Sequence, residues 1–390
     1  MGYRLFVDVQ TMSSLGAMSP SGRGRPVREP PQRPRFGPIR ETPPDEVVTA
    51  LSGARSGSSW TIDRFGNDGG YPNGGIWRVS AARTNGAGPS AAWVKRTGAS
   101  YLGASRVWRC QSAANDPQWW GREAAFYESP LATTGWSKDA RAARCYAIDD
   151  HNECRDLWLE AVVIPASVDV YTRAAAGLAG WQVATMDTAY RWLSDDWIPT
   201  HVSRHGLDNK RTLAHPAWPT AIARGLDPTV RELVAVRVCD PADIRRRLRD
   251  FPQALTHYDF HHCNIGTVGD DAVIIDWAYV GWGPIGHDVG HLALEIAADP
   301  GVSPGDIWYA MQSAYCDALV AAGWSGDLSV VRQSMAESNV LRLGWEIDNF
   351  LSIADHLPGD RFGAMAARLS FLADLTSAQR SPLAGTPRPR

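Results

Sequence analysis

The 390 residues carry 39 Lys and Arg against 42 Asp and Glu, a net charge of −3, with 44 % hydrophobic and 21 % charged side chains. Such a chain is long enough for two folding units or a bilobal one, and its ordinary apolarity excludes a wholly disordered or membrane-embedded protein. The charge gives no general electrostatic case for nucleic acid, which needs a basic surface, and six scattered cysteines without a Cys-x-x-Cys pair argue against a zinc ribbon or disulfide framework and fit a reducing cytoplasm. No secretory leader and no run of about 18 apolar residues is found, so neither export nor membrane insertion is expected.

In chain order, residues 1–45 contain "SPSGRGRPVREPPQRPRFGP", too rich in Pro, Arg and Gly to form a core, and are expected to be a disordered basic tail; residues 376–390 read the same way. Residues 46–160 are predicted to form a sheet-rich lobe, with the short runs "WTIDRF", "GGIWRVSA", "AAWVKR", "ARCYAID" and "LWLEAVV" between Gly, Asn, Asp and Pro clusters. One helix interrupts the strands: "DPQWWGREAAFYESPL" has an Asp-Pro start and helically spaced Trp120, Ala124 and Tyr127, and stops before Pro130. Residues 161–375 turn helical, with "AYRWLSDDWI", "VRELVAVRV", "PADIRRRLRDF", "VGHLALEIAA", "PGDIWYAMQSAYCDALVAAG" and "SVVRQSMAESNVLRLGWEIDNFLSIADHL". The exception there is "CNIGTVGDDAVIID", two short strands about a Gly-Asp-Asp turn. The fold class is therefore α+β and bilobal.

The stretch "LTHYDFHHCNIGTVGDDAVIIDW" concentrates the chemistry. His257 and His261 have the i, i+4 spacing of a helical zinc pair, but Pro252, Gly266, Gly269 and the hairpin argue against a helix here. A better reading is His-x-Asp-x-x-x-x-Asn, met by His257, Asp259 and Asn264, then a hairpin and a second aspartate, Asp276. That order suits phosphoryl transfer. One aspartate accepts or orients the acceptor hydroxyl proton, the asparagine and the later aspartate hold magnesium against nucleotide phosphates, and the hairpin brings those two side by side. His257, His261 and His262 are expected to pack and hydrogen-bond, and Cys263 to be a small buried apolar residue with an ordinary thiol. A kinase also needs a cation for the α- and β-phosphates, and of three lysines (Lys95, Lys138, Lys210) only Lys95 sits in an apolar strand.

These residues resemble the aminoglycoside phosphotransferase and choline-kinase-like group of small-molecule kinases. "HYDFHHCN" followed by "VIIDW" resembles the group's catalytic loop and metal strand, and "GWGPIGHDVGHL" the segment whose aspartate, here Asp288, braces that loop together with His257. Tyr258 departs from the glycine usual between the histidine and the aspartate. The resemblance, running in order over about residues 59–375, implies a protein-kinase-like fold, a nucleotide-binding N-terminal lobe, ATP or GTP with Mg2+, and Asp259 as the catalytic residue. It implies Glu123 as the helix partner of Lys95, with Glu128 a competing choice, and phosphate contacts at Gly69, Gly70, Asn73 and Gly74. The hinge would lie at Glu160 and Ala161.

The acceptor is less constrained, because function on a shared fold lives in the pocket. From His291 to Met365 there are ten carboxylates against three arginines, and in the group the C-terminal helices line the acceptor site, so Glu346, Asp348 and Trp282 are expected to face a cationic amino sugar or aminoglycoside. Three readings stay open: a kinase of a small-molecule hydroxyl, a kinase of Ser or Thr in a peptide, and a non-catalytic module that kept the fold.

Overall fold

The structure is a computed structural model that describes residues 39–51, 60–65, 73–81, 90–98, 110–164 and 167–380. Most of the expected N-terminal tail, Gly69 and Gly70 of the glycine-rich turn, and the last ten residues lie outside the described residues. Ile39 is already buried, and helix α1 (Asp45–Ala50) buries Val47. Strands β1 (Trp60–Phe65), β2 (Asn73–Ala81), β3 (Ser90–Gly98), β5 (Cys145–Asp150) and β6 (Cys154–Glu160) form one antiparallel sheet in the order β1-β2-β3-β6-β5. Side chains alternate across a strand. Val79, Ala92, Val94 and Trp158 therefore share one face with Val47 and Leu51, while Trp93, Leu157 and Leu159 share the other with Ala124 of helix α2 (Arg122–Glu128). Lys95 has the parity of Trp93, so the sheet's own alternation aims it toward α2.

Helix α2 starts later than its sequence pattern predicts. Asp116 takes the Gln118 N–H on its side chain at 2.8 Å, and its carbonyl takes the Trp119 N–H at 3.0 Å, so this aspartate holds residues 116–119 in a turn instead of a helix. At the other end Ser129 accepts from the Leu131 N–H and opens a single 3-10 turn, Pro130–Ala132. Strand β4 (Ala140–Ala142), unannounced in the sequence reading, runs parallel to β9 (Asp271–Ile274), which pairs antiparallel with β8 (Ile265–Val268). Sequence between α2 and β5 thereby ties the first lobe to the hairpin of the second.

The second lobe opens with α3 (Val168–Ala184), absent from the sequence reading because it is apolar almost all round and shows no helical stripe. Next come α4 (Trp197–His205), α5 (Asn209–Leu213), α6 (Trp218–Ala223), α7 (Thr229–Val236) and α8 (Pro241–Arg249). The helix expected over "AYRWLSDDWI" begins only at Trp197. Before it the Ser194 hydroxyl accepts the Asp196 N–H at 3.2 Å, a local bond that competes with helix. After β7 (Gln253–Thr256), β8, β9 and β10 (Gly281–Pro284), the lobe ends in α9 (His287–Ile296), α10 (Pro304–Ala321), α11 (Leu328–Ile353) and α12 (Gly359–Arg380). Trp181, Trp277, Trp308 and Tyr315 are fully buried in the main core, joining α3 to α9–α12. No described helix is long and apolar enough to cross a membrane.

Candidate active site

The loop between β7 and β8 carries Asp259 and Asn264, and its shape is fixed from below. Asp288, at the start of α9 and fully buried, accepts the backbone N–H of His257 at 2.7 Å and of Tyr258 at 2.9 Å on its two oxygens. Burial pushes its pKa up to about 7, while the two backbone donors pull it down. The His257 ring closes the loop. Its Nδ1 accepts the Asp259 N–H at 3.2 Å, so Nε2 carries the proton and donates to the Ile275 carbonyl at 2.9 Å. Burial lowers this histidine to about 4, keeping it neutral. Asp288 and His257, the two residues expected to brace the loop, thus both bond to its backbone.

Tyr258 explains why glycine is usual at its position. It has φ 65, a left-handed conformation that costs an L-residue about 1–2 kcal/mol. Stacking on Trp197, with centroids 5.0 Å apart, and a 2.6 Å bond from its hydroxyl to the Trp282 carbonyl offset that cost. Asp276 is the only other non-glycine residue with positive φ among the described residues, at 64°. Such strain concentrates at functional sites.

The hairpin register pairs Ile265 with Ile274, and the next bond outward, Ile275 N–H to Asn264 C=O at 3.0 Å, sets Asn264 beside the residue preceding Asp276. The Asn264 amide nitrogen lies 2.8 Å from Asp259 O, 3.0 Å from Asp259 Oδ2 and 3.1 Å from His261 Nε2, leaving the amide oxygen for another partner. Burial works against the charge of Asp259, but His261, Arg342 and His257 hold its carboxyl well below the usual range.

From the first lobe, Lys95 Nζ reaches Glu123 Oε2 at 2.6 Å and Asp276 Oδ1 at 2.7 Å. Burial alone would lower the lysine; the two carboxylates outweigh it and raise its pKa. Because Asp276 shares the same ammonium, burial leaves Glu123 pushed up to about 7 despite Lys95. Glu128 instead meets Arg155 at 3.0 Å with nearly half its side chain exposed, which separates the two candidate glutamates. Two devices hold α2 in place. Trp277, next to Asp276, stacks on Phe126 of α2 at 4.2 Å and 7°. Arg122, wholly buried beside Glu123, donates to the carbonyls of Asp116 at 2.6 Å, Val280 at 3.0 Å and Ala114 at 3.2 Å, and to that of Trp192. The only advance sign of Arg122 was an arginine on the inward face of a short apolar helix.

Of the expected phosphate contacts, Asn73 and Gly74 open β2, where Asn73 pairs with Thr97 and Ile76 with Lys95, so the start of β2 lies beside the Lys95 end of β3. The side chain of Glu160 is bound by Arg141, at 2.6 and 3.1 Å, and by the Arg144 N–H; its own N–H bonds to the Arg144 carbonyl. Ala161 follows it, and Val163 makes a two-bond bridge to Thr267 of the hairpin. Glu346 and Asp348 sit on α11. Glu346 is buried against Arg368 at 2.7 Å, and Asp348 is held by Arg237 at 2.6 Å and by the Thr212 hydroxyl. Trp282, half-buried on β10, serves the loop through its backbone carbonyl. Cys263 departs from expectation: burial raises its pKa, but hydrogen bonds to His261 and His262 bring it down to about 7.

The two lobes, with Lys95, Glu123 and Asp276 meeting between them, define a kinase-like α+β fold. Residues 166–324, from the start of the second lobe to just past α10, match the profile of the phosphotransferase enzyme family (APH), the group that the sequence resembles. Among solved structures, an amicoumacin kinase, hAmiN, in complex with AMP-PNP, Ca2+ and Ami overlaps 81 % of this chain and 88 % of its own at 12 % identity and a TM-score of 0.45. A choline kinase from Cryptosporidium parvum Iowa II overlaps 82 % and 89 % at 12 % identity and 0.44, and a Plasmodium vivax ethanolamine kinase 80 % and 81 % at 12 % identity and 0.40. No curated protein matches the sequence.

Proposed function

We propose that the chain is an ATP-dependent kinase that moves the γ-phosphoryl group to a hydroxyl of a small molecule. The observation that carries this reading is the placement of Lys95 between Glu123 and Asp276, at 2.6 and 2.7 Å, which joins a strand, a helix and the end of a hairpin from distant sequence. In this reading Lys95 steadies the phosphates of the nucleotide, Glu123 keeps Lys95 in position, and Asp259 orients the acceptor hydroxyl and takes its proton. The donor set left for a cation, the Asn264 amide oxygen and the Asp276 carboxylate, is all oxygen and suits Mg2+. When bound, that ion neutralises charge on the transferring phosphoryl group. Residues 46–160 then form the nucleotide lobe, Glu160 and Ala161 the hinge, and Asn73 and Gly74, at the start of β2, part of the phosphate cover.

The acceptor class to which the reading extends is the amino sugar, aminoglycoside or related antibiotic or metabolite. Glu346 and Asp348 do not support a cationic acceptor by free charge, since both are compensated by arginines. The test is ADP release with Mg·ATP across amino sugars, aminoglycosides and neutral alcohols, paired with thermal shift by Mg·ATP. Stabilisation by Mg·ATP in the native chain and its loss in Lys95→Met are expected. No stabilisation, together with no ADP release for any acceptor, would return the chain to the non-catalytic reading; release with peptides alone would move the acceptor class to Ser or Thr.

A further inference from the structure

The oxygen ligands at Asn264 and Asp276 suit a hard cation, but the same loop also gathers a softer set. His261 stands just outside the 3-10 turn His262–Asn264 with extended backbone, φ −134 and ψ 167, and its ring folds back so that Nδ1 accepts the Cys263 N–H at 3.2 Å. The tight winding of the turn keeps the next two side chains beside that ring. As a result His261, His262 and Cys263 each offer a ligand atom, and the three atoms lie within 4.8 Å of one another. A further observation points to a ligand: His262 Nδ1 is buried without a hydrogen-bond partner among the described residues. All three residues are half-buried, so an ion can reach them. His257, the i, i+4 partner of His261, stands outside this set, with both ring nitrogens bonded to the backbone.

We propose that His261, His262 and Cys263 form a binding site for one soft or borderline divalent cation of the Zn2+ type. Two imidazole nitrogens and a thiolate are a typical donor set for such ions and a poor one for Mg2+. Three protein ligands leave the fourth tetrahedral position to water. On binding, the Cys263 thiol loses its proton to solvent as the sulfur–metal bond forms. The site acts on the loop through His261, whose Nε2 lies 3.1 Å from Asn264 Nδ2 and 3.6 Å from Asp259 Oδ2. Ligation draws that ring away from both, so an occupied site opposes the geometry of the catalytic loop. This last consequence rests on the kinase reading; the binding itself does not.

The test uses the full chain in excess Mg2+, which occupies the oxygen site and ignores thiolates, with Co2+ as the spectroscopic probe and Zn2+ as competitor. The expected result is a thiolate-to-cobalt charge-transfer band that saturates at stoichiometric metal and is bleached by Zn2+. Cys263→Ser removes the band, and His262→Gln, with an unchanged far-UV spectrum, weakens Zn2+ binding at least about tenfold. Absence of the band at stoichiometric Co2+, or its persistence in Cys263→Ser, overturns the site. Zn2+ inhibition of ADP release in the native chain that Cys263→Ser relieves supports the coupling to the loop, and equal inhibition of both proteins overturns it. If the band appears and depends on Cys263 while no acceptor gives ADP, the metal site stands and the kinase reading falls.

Discussion

Asp259 and Asp276 each keep one carboxylate oxygen that no other side chain takes up among the described residues, whereas Glu295, Glu346 and Asp348, on α9 and α11, are each held by an arginine. Both regions are rich in carboxylates, and by composition they look alike. The difference is where the compensating charge comes from. Around the catalytic loop Asp276 is met by a buried lysine from the other lobe, and Asp259 by the Asn264 amide and the His261 imidazole with Arg342 acting from further off, so that in the proposed reading one carboxylate oxygen of each aspartate is left for a cation and phosphates. In the helices Arg368 spans Glu295 and Glu346, and Arg237 grips Asp348 together with the Gly344 carbonyl, so the acids serve as ties between helices. A count of acids along a segment measures field only when the arginines that close on them fall within the same segment.

The largest effect that sharpens this contrast is expected at Asp259. Asp259→Asn keeps the shape of the side chain and removes the proton acceptor, so turnover should fall about 10²–10⁴-fold while Mg·ATP affinity and thermal stability stay close to native. Steady-state kinetics beside nucleotide titration would show it, and an equal loss of nucleotide affinity would mean that Asp259 acts as a ligand and not as the hydroxyl's partner. Next is Arg368→Met, which strands the buried carboxylate of Glu346 and the half-buried one of Glu295. Breaking a buried ion pair from one side costs about 3–5 kcal/mol, so urea unfolding should show a loss of that order, partly recovered by adding Glu346→Gln. A near-neutral Arg368→Met would place those acids in the same class as the loop's.

Sequence legibility divides along the same line. The catalytic loop, hairpin and Lys95 strand were readable because their geometry is local: a hairpin fixes Asn264 against Asp276 by register, and strand alternation aims Lys95 at α2. The arginine ties were not. Arg368 lies on α12, a helix whose apolar stripe was not recognised, and just beyond the segment whose charge was counted. Arg122 acts through backbone carbonyls of four separate residues, and no spacing in a sequence encodes those. Helix α3 shows no stripe in the sequence because apolar side chains stand almost all round it and erase the period that betrays a surface helix. The thiol of Cys263 was expected to be ordinary because its imidazole neighbours come close only once the 3-10 turn folds His261 back.

A smaller effect tests the rigid side of the catalytic loop. His257 is neutral in the fold, lowered to about 4 from an ordinary 6.5, with both ring nitrogens committed. A histidine depressed on folding binds its proton first in the unfolded chain, so the stability it contributes is complete above about pH 6.5 and drains away as pH falls toward 4. The shift corresponds to about 3 kcal/mol at most. In His257→Gln, whose amide can still donate and accept, the loss of stability between about pH 7 and pH 4 should be smaller than in the native chain by up to that amount. Equal slopes in the two proteins would mean that the ring is not held neutral by the loop.

The smallest effect expected, and the most selective, separates two glutamates on one helix. Glu123 and Glu128 face different surroundings: Glu123 is buried against Lys95, while Glu128 meets only Arg155 at the surface. An exposed ion pair contributes little, because water already solvates both partners, so Glu128→Gln should change stability by less than about 0.5 kcal/mol. Mg·ATP affinity should not move. Glu123→Gln deprives Lys95 of one of its two anions, and the lysine then has only Asp276, the residue assigned to the cation. Nucleotide affinity should therefore fall in Glu123→Gln alone, and a comparable fall in Glu128→Gln would show that the helix end, and not the buried ion pair, governs the nucleotide lobe.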